Sequence, residues 1–83
     1  MLIFLVIGET GPYEQYDRWI VAAYKQELAA KQHVELATRH AEAYGYHRND
    51  CHYVPDPVAN PWDDKMLVAF GGVSYSIEEV FLK

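Results

Sequence analysis

The sequence predicts an α+β fold: a small, mainly antiparallel sheet with elements in the order β-β-α-β-β, and one long amphipathic helix packed across one face. Three observations predict it. Residues Lys25–Tyr44 carry apolar side chains at helical spacing, Leu2–Ile7 form an unbroken apolar run, and Lys65–Phe70 and Val73–Leu82 flank a Gly71-Gly72 pair. One helix covering one face of a small sheet is the natural way to bury these surfaces. The 83 residues suffice for one domain spanning 1–83, with roughly 60–65% of the unfolded surface buried on folding.

Leu2–Ile7 is rich in branched residues and reads as a strand buried on both faces, the central one of the sheet. Gly8, Gly11 and Pro12 end it, and residues 9–17 make a polar connection bearing Tyr13 and Tyr16. Arg18–Tyr24 follows with Trp, Ile, Val and Tyr, the composition of a second strand. The rival reading is one helix from Pro12 to Tyr44, but that length is unusual for so small a domain.

Within Lys25–Tyr44, Ala30, Val34, Ala37, Ala41 and Tyr44 make a narrow stripe, widened by His33, Leu36 and His40. Glu27 precedes Lys31, and Glu35 precedes Arg39, by four, the favourable order for surface ion pairs. Gly45 suits a left-handed helix end, whereas no Ser, Thr, Asp or Asn stands before Lys25 as a cap. Val34, Ala37 and Ala41 are expected to meet Phe4, Val6 and one face of the second strand.

Residues 45–64 show no periodicity, and Pro55, Pro57 and Pro61 break regular structure. A connection of that length is often functional or mobile. Lys65–Phe70 then reads as a strand turning at Gly71-Gly72 into its hairpin partner, Val73–Leu82. Tyr75, Ile77 and Phe81 share one face of that last strand and Val80 and Leu82 the other, so a bulge near Glu78 is expected.

The chemistry-bearing residues form no catalytic or metal motif. His33 and His40 are seven residues apart, about 10.5 Å along a helix, too far to share a metal ion; they read as hydrogen-bonded structural histidines. His47, Asp50, Cys51 and His52 cluster in the connection, yet there is no second cysteine and neighbouring side chains diverge. Phosphate-cradling glycine loops and Ser/His/Asp sets are absent. The chain is therefore read as a non-enzyme, with no cofactor, no metal site and no catalytic residues.

A formal net charge of −5, from twelve acidic and seven basic side chains, argues against direct nucleic-acid binding and for a partner with a basic surface. No run of about 20 apolar residues is present to span a membrane, and a single cysteine fits a reducing compartment. A cytoplasmic protein is expected. Tyr and Trp are over-represented at binding hot spots. Tyr13, Tyr16, Asp17, Trp62, Asp63 and Asp64, in the two longest connections, are accordingly the expected partner-binding residues. Trp62 also fits a rival role, folding back to cover the helix end near Tyr44.

The stretches Phe4-Leu5-Val6, Trp19–Tyr24, His33–Ala37, Asn60-Pro61-Trp62-Asp63 and Ile77–Val80 resemble small proteins of unassigned function encoded by tailed bacteriophages. That group shows a short strand, a polar turn, a strand ending in an aromatic residue, a helix rich in Ala, Glu and Lys, and a closing strand rich in Glu and Val. The resemblance implies a phage or prophage accessory protein in the host cytoplasm and carries over no site residues. The expected function is protein binding, including inhibition of a host factor such as a defence nuclease complex. The alternative is sequestration of a nucleotide or similar small ligand, with loop aromatics stacking on the base.

Overall fold

Strand β1, Leu2–Thr10, is the centre of the sheet because it alone is apolar along both faces and can accept a neighbour on each edge. The computed structural model describes residues 1–11, 17–47, 54–69 and 71–82. Strand β2, Asp17–Tyr24, and strand β3, Val73–Phe81, both pair with β1 antiparallel, giving the order β2-β1-β3. Helix α1, Glu27–Ala43, packs across one face. Its start at Gln26 has no side-chain cap, and Gly45, with φ 72°, follows its end.

The expected α+β architecture is present, but with three strands among the described residues rather than four. Lys65–Ala69 is not a strand. Met66 and Val68 point inward and Leu67 outward, which mimics strand alternation, yet the segment makes one isolated bridge, Val68 to Val54. Phe70 lies outside the described residues. Gly71 and Gly72 both have positive φ, but they do not close a hairpin. The Thr10 hydroxyl donates to the Gly72 carbonyl at 3.0 Å and accepts from the Ala69 N–H at 2.9 Å. The turn is thereby stitched to the end of β1, and Val73 is aligned opposite Thr10.

The bulge falls in a different place from the one expected. The β1–β3 register runs unbroken from Leu2 opposite Phe81 to Thr10 opposite Val73. In β2 the register slips, Val6 facing Ala22 and Ile7 facing Ile20, so Val21 is the extra residue. Val21, Ala22 and Tyr24 all pack into the helix-side core as a result.

The core lies between α1 and one sheet face. Phe4 and Val6 meet Ala30, while Ala37 and Ala41 meet Val73, Tyr75, Met66 and Val68. The small-residue stripe thus packs as expected for a helix on a sheet. Its second half, however, reaches β3 and the 54–69 connection instead of Phe4 and Val6. Strand β1 is covered by the helix on one face only, and Phe81, on the same face of β3 as Tyr75 and Ile77, is nonetheless 73% exposed at the end of the sheet.

Candidate functional site

The 54–69 connection is anchored to α1, β2 and β3 by one short turn, residues 60–65. Asn60 is buried, and its side-chain oxygen accepts from the Trp62 N–H at 2.9 Å. Its amide nitrogen donates to the Ala37 carbonyl of α1 at 3.3 Å and to the Tyr75 hydroxyl of β3 at 3.4 Å. Asp63, only 2% exposed, is the hub. Its carboxylate accepts from Trp19 Nε1 of β2 (3.1 and 3.0 Å to the two oxygens), from the Tyr75 hydroxyl at 2.8 Å, and from the Lys65 N–H at 3.1 Å. Strands β2 and β3 and the turn itself are tied to one side chain.

Glycine at position 8 permits this geometry. A Cβ there would lie 2.5 Å from Trp19 Cε2 and 2.6 Å from Nε1, so the indole lies across the bare backbone of β1. Tyr75 is pushed well above the ordinary tyrosine range, first by burial and then by its hydrogen bond to Asp63 and that residue's negative charge. It remains a neutral donor to Asp63 across the physiological range.

His33 fixes the turn from the helix side. Its Nε2 lies 2.6 Å from the Trp62 carbonyl, which can only accept, so Nε2 carries the proton. Nδ1 lies 2.7 Å from the Tyr24 hydroxyl. The expectation of a hydrogen-bonded structural histidine describes His33 well. His40 instead packs its ring against Tyr44, centroids 4.8 Å apart, and its buried Nε2 has no hydrogen-bond partner among the described residues.

The turn stands between two shallow depressions. On one side Trp62 lines a hollow of about 210 Å³ with Tyr24, Ala29, Gln32, His33 and Leu36. On the other, Asp64 lines a hollow of about 230 Å³ with Pro57, Val58 and Met66. Val58 and Leu36 are exposed on these surfaces.

No protein-family model, curated protein or solved structure matches this chain. Its site is read from geometry alone.

Of the expected partner-binding residues, the structure brings Trp62 and Asp64 to the surface on opposite sides of one turn. Asp63 between them is buried and engaged internally, so it offers no charge to a partner. Trp62 is half-buried and packs against the core cluster beside His33 and Leu36, not at the helix end near Tyr44. Asp17 is exposed at the start of β2, and Tyr13 and Tyr16 lie outside the described residues. Asp50, Cys51 and His52 also lie outside them, while His47 Nε2 sits 4.0 Å from Glu42 Oε1. Among the described residues no three His, Cys, Asp or Glu side chains come together as a metal-binding group, and no helix is long and apolar enough to cross a membrane. Sequence reasoning missed Asn60, Trp19, Tyr75 and His33 as the frame of the site; the one available signal was the close spacing of Asn60, Trp62 and Asp63.

Proposed function

We propose that this chain is a non-catalytic accessory protein of the phage type, acting in the host cytoplasm by docking the 57–65 segment on a protein with a basic surface. The observation that supports it is the clamping of that turn. Asn60, Asp63 and the Trp62 carbonyl are held from α1, β2 and β3, so Trp62, Val58 and Asp64 are presented without an ordering cost on binding. Pro57 and Pro61 stiffen the same segment. The exposed Asp56 and Asp64 and the net charge of −5 set the sign of the partner. Inhibition of a host defence factor is one form such docking takes.

The experiment is capture from bacterial lysate at several salt concentrations, with the wild type beside Trp62→Ala and Asp64→Asn. Trp62→Ala should weaken association by about 2 kcal/mol or more, as a hot spot does. Asp64→Asn should flatten the salt dependence while leaving the fold intact. Equal capture by all three proteins, or no partner above background at any salt, overturns the reading.

A further inference from the structure

The sheet face opposite α1 is built to be covered. In the β1 register the odd positions point there, so Ile3, Leu5 and Ile7 form a column, flanked by Ile20 and Ala23 of β2 and Val80 of β3. Leu82 continues the same face beyond β3 and is 48% exposed, and Ile20, in the middle of a strand, is 53% exposed. At the Thr10 end the face closes itself. Arg18 reaches from β2 over β1 to Glu78 of β3 at 3.0 Å, and pairs with Glu9 at 3.3 Å on the way. Ile7 beneath that arm is 3% exposed. A hollow of about 260 Å³ lies beside it, lined by Leu5, Ile20 and the arm itself.

We propose that a second copy of this chain docks on this face, the two sheets stacking about a two-fold axis into a six-stranded sandwich. Charge selects the occupant. A chain of net charge −5 repels its own copies, so self-contact needs a surface where acids are few and paired. Here Glu9 and Glu78 are both paired with Arg18, leaving one net negative charge at the Thr10 end, and apart from the hydroxyls of Ser74 and Ser76 the remainder is apolar. A basic partner finds no free carboxylate on it; an identical apolar face is complementary to it, as an isologous contact requires. The area is sufficient. Three strands of about nine residues cover ~30 Å by ~14 Å, and with side-chain relief two such faces bury on the order of 1,200 Å², the lower bound of specific dimers. An apolar patch of this extent on a lone monomer would be an aggregation hazard.

The test is sedimentation equilibrium of the full chain over a range of concentrations, beside Ile20→Glu and Leu82→Glu. Both side chains are exposed in the single chain, so both variants should fold. The wild type should approach twice the chain mass, and each variant should dissociate at least about a hundredfold more readily, because the two-fold buries each new carboxylate twice. Amide NMR shifts on dilution of the wild type should concentrate on Ile3, Leu5, Ile20, Ala23 and Val80. A single-chain mass at every concentration, or a dimer that both variants leave unchanged, overturns the proposal. Neither variant touches Trp62, Asp64 or the Asp63 network. Loss of the dimer with capture retained separates this proposal from the docking role of the 57–65 turn, and the converse result separates that role from this one.

Discussion

Replacing Asp63 with Ala removes one acceptor from three donors at once. Trp19 Nε1 and the Tyr75 hydroxyl then lie in the interior without an acceptor, while the Lys65 N–H can turn to water. A buried donor left unsatisfied costs about 1–3 kcal/mol, so the pair costs ~3–5 kcal/mol. A domain of 83 residues has on the order of 4–12 kcal/mol of stability in total. For a chain of this size each kcal/mol moves the Tm by about 4–8 °C, so Asp63→Ala should melt roughly 15–30 °C below the wild type. Urea unfolding followed by tryptophan fluorescence supplies the free energy independently. Asp63→Asn, which keeps one acceptor oxygen and the side-chain volume, should fall between the two. In a double-mutant cycle, Asp63→Ala and Tyr75→Phe should couple by about 1 kcal/mol or more. A loss below about 1 kcal/mol in Asp63→Ala would falsify the claim that this carboxylate holds the connection to the core.

Three further outcomes follow from the same frame. Tyr75 has its folded-state pKa raised above the unfolded value of about 10, so the neutral form that the fold favours is fully present below pH 10. Above that pH the unfolded chain loses a proton that the folded chain keeps, and stability should fall by about 1.4 kcal/mol per pH unit. Tyr75→Phe should be less stable at neutral pH by about 1–2 kcal/mol and lack that alkaline component, as read from urea midpoints across pH 8–12. Gly8→Ala places a methyl group against the Trp19 indole and should cost ~2–4 kcal/mol through displaced packing and a lost hydrogen bond to Asp63; an unchanged melting curve would count against the close approach. Ala37→Asp puts a charge at a fully buried position between α1 and β3 and should prevent stable folding, which circular dichroism would show directly.

Helix α1 was the most legible element, because its period of 3.6 is set by its own residues: Lys25–Tyr44 was expected and Glu27–Ala43 is observed. Strands β1 and β2 were legible for a similar reason, as local apolar runs rich in branched and aromatic side chains. The partner of β3 was not. Alternation in Lys65–Ala69 reports burial on one side, which a packed irregular segment produces as readily as a strand, and nothing local says that Val73–Phe81 pairs with the first strand. The expected bulge rests on the premise that Tyr75, Ile77, Val80, Phe81 and Leu82 all lie inward, and Phe81 and Leu82 do not. The exposure of Phe81, opposite Leu2, follows from the sheet projecting beyond the start of α1, a length relation between elements that no single segment carries. The hub at Asp63 was hidden most completely. It joins Trp19 and Tyr75, 44 and 12 residues away, and beside Asp64 it looks like half of a solvated acidic pair.

The two neighbouring aspartates also explain how a three-stranded sheet with one helix can carry a fixed irregular turn. One helix is too narrow to cover the helix-side face of β1, β2 and β3 together, and the gap is filled by the 54–69 connection with Met66, Val68 and Trp62. An irregular segment used as core must satisfy its backbone without a ladder, and here buried polar side chains do that work: Asn60 and Asp63 bind the turn to itself as well as to its neighbours. The same bonds hold Trp62 half-buried at the surface and Asp64 exposed, both with little freedom. Stability and presentation of the surface are therefore one property in this chain. The turn cannot loosen without exposing Asp63, so under the proposed docking role a partner would have to fit the turn as it stands, with shape counting as much as charge.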